Sequence, residues 1–316
     1  MVKIAFWDNC LSERGTTVAM YNYAYYNQTI LGNESIIMYN LTRKETDSSV
    51  VQMFKNNFHV IGVSHFNMVD PILTDKNVDI FYIIKAGEWD GQISKLCKTC
   101  VHCVFNYSHP HGNVYAGVSN WVSGNYMNHP VVPHIVTLPD ASLNMRSELN
   151  IPKDATVFGR HGGEGQFDIK YVQQAVYHIA KTCPNIYFVF MNTTIFCPSS
   201  PNIIHIGRIV NLQKKVEFIN TCDAMLWARS GGETFGLAIA EFSIKNKPIF
   251  ATKTGDTAHI HLLGDKAVWY NETNIHDLIV NFDKNDAATK DWNAYRDYSP
   301  EKVMSIFKRI FIDGQH

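Results

Sequence analysis

Residues 228–241 read ARSGGETFGLAIAE, and two carboxylates frame the end of the stretch: Glu233 and Glu241, with seven residues between them. The run AMLWA before it (224–228) has the composition of a buried strand, RSGGETFG reads as a turn, and a helix should start near 235–237. Leu237, Glu241 and Ile244 then stand at i, i+4 and i+7 and share one helix face. That face should be apolar, and a carboxylate on it is unfavourable unless something hydrogen-bonds it. A sugar or ribose diol can do so, because two adjacent hydroxyls donate to one carboxylate. A buried ion pair with a neighbouring lysine or arginine can do so equally. Glu233 lies in the loop before the helix, where the amides of Thr234, Phe235 and Gly236 are placed to face a ligand. A helix-start acid favoured by the helix dipole accounts for it as well.

A second loop, ATVFGRHGGEGQFDIK (155–170), has the makings of an anion site. A strand ends at Arg160, glycines let backbone amides approach a ligand, and Asp168 is placed to cap the next helix. Arg160 adds a permanent cation with a fork of donors suited to phosphate. The loop is neither a Walker loop nor the dinucleotide glycine pattern, and a flexible loop with a surface arginine is the plainer alternative. In the first half, CKTCVHC (97–103) with His109 and His111 nearby has spacing that invites zinc. Cys97 and Cys100 fall on a helical stretch and Cys103 on a strand, with no second Cys-x2-Cys, so no metal is expected. Lys85, in IIKAGEWDG, and His109 and His111, in SHPHG, are candidate acceptor contacts, although a turn with solvated rings explains the histidines equally.

These residues need a frame. The 316-residue chain is 46% hydrophobic and 18% charged, enough for two domains with real cores. Its net charge of −1 gives no global field to attract nucleic acid or anionic lipid. No apolar run approaches a membrane span. The start MVKIAFWDNC goes directly into a strand pattern, and the seven cysteines are an odd count without framework spacing, so a cytoplasmic protein with reduced thiols is expected. Strand runs KIAFW, SIIMY, HVIGV, VDIFYIIK and VHCVF alternate with helical runs at 16–31 and 45–57 and a short helix in DGQISKLCKT. The same grammar returns in ATVFGR, helix 168–181, NIYFVFM, helix 211–222, AMLWA and PIFAT. Such alternation means βα units on parallel sheets. The polar, turn-rich stretch LPDASLNMRSELNIPKDA (138–155) marks the break, which gives two Rossmann-like doubly wound α/β domains facing across a cleft, 1–140 and 141–316.

GGETFGLAIAEFSIKNKPIFAT (231–252) resembles the Glu-(seven residues)-Glu motif of the family-four retaining GT-B glycosyltransferases, with Glu233, Phe235, Gly236, Leu237 and Glu241 matching in type and spacing. CDAMLWARS resembles the family's strand before the motif, VFGRH the arginine-bearing strand end that opens its second domain, and TGDTAHI falls where a glycine-rich donor loop is usual. SPEKVMSIFKRIF resembles the terminal helix, about 300–316, that packs back on the N-terminal domain. The resemblance implies a glycosyltransferase with an acceptor-side first domain and a sugar-nucleotide-binding second domain. Glu241 would hold the ribose, Glu233 the donor sugar's hydroxyls, and Thr234, Phe235 and Gly236 the sugar and diphosphate through their amides. Arg160 would stabilise the leaving diphosphate. Gly15, in ERGTTVAMYNYA, falls where a glycine-rich turn enters the family's first helix, so it would bind the donor by facing its phosphates, or else face the acceptor, and His102 falls where an active-site histidine often closes a strand.

The family's lysine about five residues after the arginine is replaced here by Gly165; Lys170 lies further on, and Arg229 or Lys253 would have to supply the second cation. The donor implied is a UDP- or GDP-sugar and the acceptor a glycan or glycoconjugate, with retention of configuration, no cofactor, no metal and no nucleic-acid partner. A non-catalytic sugar-nucleotide or glycan-binding protein of the same shape is the alternative. A phosphorylase or a sugar-nucleotide epimerase would need a phosphate pocket or an acid/base pair that the residues do not offer.

Overall fold

The computed structural model describes residues 1–12, 14–124 and 129–315; Glu13, at the head of the ERGTT stretch, and His316 lie outside them. The chain divides into two compact units, Met1–Ile135 with Asp297–His316, and Val136–Arg296.

The first unit runs β1 (Lys3–Asp8), α1 (Gly15–Thr29), β2 (Glu34–Asn40), α2 (Ser48–Lys55), β3 (His59–Val63), α3 (Val69–Asp75), β4 (Ile80–Lys85), β5 (Lys98–Cys103) and β6 (Val114–Gly117). The strands form one sheet in the order β3-β2-β1-β4-β5-β6, every pair parallel. β1 and β4 are buried almost end to end, as strands covered on both faces must be.

The second unit runs β7 (Thr156–Arg160), α4 (Lys170–Thr182), β8 (Ile186–Met191), β9 (Ile203–Ile206), α5 (Leu212–Thr221), β10 (Ala224–Leu226), β11 (Gly232–Glu233), α6 (Leu237–Ile244), β12 (Ile249–Ala251), β13 (Asp256–Thr257), α7 (Ala258–Leu263), β14 (Val268–Trp269), α8 (Ile275–Val280) and α9 (Lys284–Ala288). Its main sheet has the order β14-β12-β10-β7-β8-β9, and β11 pairs with β13 in a separate ribbon. The chain winds one way from β7 through β8 to β9 and the other way from β10 onward. The carboxyl ends of β7 and β10 therefore flank the switch point, where doubly wound sheets open a crevice for ligands. Phe158, Phe188 and Phe250 on the sheet and Val172, Val176 and Ile179 on α4 form the core beneath it.

The last helix, α10 (Pro300–Phe307), continues into a π-helical turn, Lys308–Ile312. It belongs to the first unit, where Phe307 packs on Tyr23 (5.3 Å) and Phe311 on Tyr82 (5.3 Å).

Local structure departs from the sequence pattern in three places. Residues 90–97 form no helix. Asp90 Oδ1 takes the Gln92 amide (3.0 Å), Asp70 takes the Ser94 hydroxyl (2.6 Å), and Ser94 Oγ takes the amides of Leu96 (3.0 Å) and Cys97 (3.1 Å). These local side-chain acceptors use amides that a helix would need. β5 consequently starts at Lys98 and contains Cys100 and Cys103. The short elements α3, β6 and β9 carry too few residues for a periodic signal. Asp168, finally, does not cap α4, whose N-cap is Ile169; its carboxylate takes the amide (2.7 Å) and hydroxyl (2.6 Å) of Ser230 instead. That change laces the loop after β7 to the loop after β10. Among the described residues no helix is long and apolar enough to cross a membrane.

Candidate active site

Arg160 closes β7 and is 3% exposed. Its Nη1 donates to Asn192 O (3.2 Å) and Thr193 Oγ1 (2.6 Å), and its Nη2 to Gly163 O (2.7 Å). All three acceptors are neutral, and among the described residues no carboxylate comes within ion-pair distance of it. Burial draws the guanidinium down to about 10, with Glu233 nearby opposing the shift, so it remains a cation at neutral pH. A buried cation that meets only neutral acceptors attracts an anion more strongly than an exposed one.

The segment after β10 turns back toward this point. Trp227 Nε1 donates to Glu233 Oε1 (3.0 Å) and Arg229 Nη1 to Glu233 Oε2 (3.0 Å), so both carboxylate oxygens are oriented before any ligand arrives. Burial raises the Glu233 pKa, against the pull of Arg229, the Trp227 bond and Arg160. Gly236 enters α6 in the left-handed region, φ 84°, where a side chain is strained, and a Cβ there would meet Glu233 Cγ at 3.3 Å. The ribbon of β11 and β13 brings backbones into contact: a Cβ on Gly232 would lie 2.2 Å from Asp256 N. Beneath it His259 is fully buried. Its Nδ1 meets Asp256 O (3.0 Å), its Nε2 meets Thr252 O (3.0 Å), and its ring lies on Trp227 (4.5 Å). His259 thus braces the loop at 252–257 against the motif.

Glu241 lies on the buried face of α6, 7% exposed. Lys215 of α5 donates to its Oε1 (2.9 Å), so the ion pair open as an alternative in the sequence is present. His161 Nε2 stands 3.0 Å from Oε2, but off the hydrogen-bonding direction, and Oε2 is buried with no hydrogen-bond partner. Burial alone would raise the Glu241 pKa; Lys215 and His161 outweigh it and hold the carboxyl at about 2. Burial keeps the His161 ring neutral, so Lys215 supplies the compensating charge. The carboxylate is therefore ionised and fixed at one oxygen by Lys215, while the other lies buried against the His161 ring without an aligned hydrogen bond.

The remaining candidates separate. Thr234 is half-buried and Phe235 buried in the turn beside Glu233, with Phe235 O taking the Tyr295 hydroxyl (2.9 Å). Lys170 is exposed on the first turn of α4, and Lys253 is exposed over the Trp269 ring (5.3 Å), which leaves Arg229 as the second buried-side cation of the motif. Gly15 is the first residue of α1, next to Arg14, which pairs with the buried Asp8 and with Asn9. Lys85 pairs with Asp90 and donates to His111 Nε2 (3.1 Å), and His109 hydrogen-bonds Ser108 (3.0 Å). His102 is a correction: it is 0% exposed. Its Nδ1 meets Tyr82 OH (2.6 Å), Phe311 packs on its ring (5.5 Å), and burial lowers it to about 3. A neutral ring sealed in the first unit's core reaches no substrate. Cys100 and Cys103 donate to Phe311 O (3.3 Å) and Ala116 O (3.2 Å), and burial pushes both thiols up to about 12. Among the described residues no group of three metal-ligating side chains converges.

Residue types and spacing did not point to Lys215, His161, Trp227 or His259. His161 adjoins Arg160, Trp227 stands two residues before Arg229, and His259 falls within the TGDTAHI stretch, which were the available signals. Lys215 meets Glu241 across two helices, a relation that periodicity within one helix does not contain.

No protein-family model matches the chain and no curated protein matches it in sequence, but solved structures do match it in three dimensions. HepE of Anabaena, in complex with UDP and glucose, superposes with a TM-score of 0.71 at 13% identity, covering 98% of each chain. A glycosyltransferase from Rickettsia africae superposes at 0.67 and 13% identity, covering 99% of each. WaaG, a glycosyltransferase of lipopolysaccharide biosynthesis, superposes at 0.66 and 10% identity, covering 98% of this chain and all of the other.

The fold is GT-B.

The GT-B likeness runs through both units, since nearly the whole chain is covered in each match. It agrees with the two parallel six-stranded sheets.

Proposed function

We propose that the chain is a glycosyltransferase that moves a sugar from a UDP- or GDP-sugar to a hydroxyl of a glycan or glycoconjugate, with retention at the anomeric carbon. The observation that carries this reading is Glu241: a buried, ionised carboxylate with one oxygen committed to Lys215 and the other without a hydrogen bond. A ribose hydroxyl that reaches that oxygen would supply the hydrogen bond it lacks. The UDP and glucose held by HepE favour UDP-sugars as the first donors to try.

In this reading the second unit binds the donor. Glu233, pre-oriented by Trp227 and Arg229, accepts hydroxyls of the sugar, and the turn 234–236 seats sugar and diphosphate through its amides. Arg160 and Arg229 face the diphosphate. The bond from the anomeric carbon to the phosphate oxygen breaks, and its electron pair leaves on the diphosphate. The acceptor oxygen bonds to the same carbon on the same face and passes its proton to the departing phosphate oxygen. Charge on that leaving group is met by fixed protein cations and helix-end amides, which act without reorganising, so no divalent metal is required. The first unit takes the acceptor, with Gly15 beside it. A reducing, cytoplasmic setting fits seven unpaired cysteines.

One feature favours a binding protein instead: Arg229 is already paired with Glu233, which leaves Arg160 as the sole unpaired cation of the pair. Incubation with a panel of sugar-nucleotides and acceptors, followed by nucleotide release, separates the two. Turnover that is lost in Glu233→Ala supports the transferase. Tight binding without turnover supports the binding protein, and turnover undiminished in Glu233→Ala removes the assignment of Glu233.

A further inference from the structure

The first unit holds a cavity that donor handling leaves unused. Between β5 and β6 the chain returns through residues 104–113 without a helix. In that return lies a cavity of about 300 Å³ lined by Tyr107, Pro110, His111, Asn113, Tyr115 and Pro130. Its aromatic groups belong to an unbroken row of five rings. Trp89 meets His111 at 5.0 Å, His111 meets Tyr115 at 5.2 Å, Tyr115 meets Tyr107 at 4.6 Å and Tyr107 meets His129 at 4.3 Å. Trp89, at the end of the row, is 54% exposed, which is more than a ring recruited for core packing would be.

The row is rigid before any ligand arrives. Tyr107 OH donates to Tyr115 O (3.0 Å) and Tyr115 OH to Gly87 O. A carbonyl can only accept, so His111 donates from Nδ1 to His109 O (2.5 Å) and presents Nε2 to Lys85 (3.1 Å). Burial lowers the His111 pKa, in keeping with that neutral tautomer.

Charge and ring geometry select the ligand class. Lys85 is matched by Asp90 and no arginine lines the cavity, so a phosphate finds no spare cation. Successive rings are inclined by 85°, 52°, 84° and 42°, so no parallel pair exists to sandwich a planar base. A sugar ring offers what such a lining accepts: C–H faces for aromatic surfaces and hydroxyls for the polar atoms between them.

We propose that this row is a carbohydrate subsite that seats neutral sugar units along it, one against Tyr107 in the cavity and one against Trp89 at the exposed end. It deepens the acceptor part of the reading above, on which it rests for its role in transfer; binding itself depends on the first unit alone.

The test is saturation-transfer NMR on the full chain with a panel of neutral hexose glycosides and disaccharides, without any nucleotide. Saturation should build on the C–H face protons of at least one sugar. Trp89→Ala, at a half-exposed position, should weaken that sugar's binding by roughly three- to tenfold, the range of a lost aromatic contact, with an unchanged unfolding midpoint. Trp89→Phe should restore part of it. Absence of saturation from every sugar, equal binding in Trp89→Ala and Tyr107→Ala, or displacement by uridine or inorganic phosphate overturns the proposal. A chain that binds sugars here but no sugar-nucleotide removes the donor reading and leaves the subsite standing. The opposite pattern removes the subsite alone.

Discussion

Replacing Lys215 with methionine keeps most of the side chain's length and removes the cation 2.9 Å from Glu241 Oε1. In the native protein the Glu241 pKa falls from 4.5 to about 2, which corresponds to about 3 kcal/mol in favour of the folded, ionised state. The sign follows from a depressed carboxyl: the contribution is complete above pH 4.5 or so and is lost as pH falls toward 2. Without Lys215, burial dominates and the Glu241 pKa rises instead. Lys215→Met should therefore be less stable than wild type by about 3 kcal/mol at pH 7, with the gap closing as the pH is lowered. Lys215→Arg should keep most of the stability. In Lys215→Met/Glu241→Gln, where neither charge remains, much of the loss should be recovered, because an unpaired buried charge is worse than none. Urea unfolding from about pH 2.5 to 8 measures these four proteins and Glu241→Gln alone. A Lys215→Met penalty that stays constant with pH, or additive single and double changes, refutes the view that this pair holds Glu241 ionised.

Arg160→Met should lower kcat by about a hundredfold or more, the usual effect of losing one preorganised donor at a developing charge, with a smaller change in donor affinity; single-turnover kinetics separate the two. Gly232→Ala should destabilise the second unit by more than 2 kcal/mol or so, because its φ is 68° and its Cβ would lie 2.2 Å from Asp256 N; thermal unfolding checks it. His102→Phe should leave the pH dependence of transfer unchanged, since a ring held near pKa 3 inside a core titrates out of the working range. Transfer should persist in excess chelator, and its loss with recovery on adding magnesium contradicts a diphosphate held by protein cations alone.

The alternation of apolar runs and helical periods was enough to place two parallel α/β units, because strands buried on both faces leave a continuous hydrophobic signature. Glu241 was legible for a related reason, since an acid on an apolar helix face breaks a pattern, whereas Glu233, in the loop before the helix, stood out through the motif it shares with Glu241. What remained hidden was non-local. The partners of Glu241 come from α5 and from the end of β7, and no spacing along the chain relates those positions. Asp168 fits a cap by position, yet Ser230 competes for the same carboxylate and wins with two hydrogen bonds. Residues 90–97 have helical composition, but Asp70, Asp90 and Ser94 divert the amides of Lys95, Gln92 and Leu96. His102 stands near a strand end as an active-site histidine would. Tyr23, Tyr82 and His134, with Phe311 from more than two hundred positions away, pack around its ring.

The central claim is that the second unit grips a sugar-nucleotide through Glu241 and Arg160. Isothermal titration of the full chain with UDP-glucose and a panel of other UDP- and GDP-sugars tests it most directly. The account predicts that at least one binds, that Glu241→Gln weakens it by roughly tenfold through the lost charged hydrogen bond, and that Arg160→Met weakens the nucleotide diphosphate more than the nucleoside. Heat signals that are absent for every sugar-nucleotide, or unchanged in Glu241→Gln and Arg160→Met, contradict it.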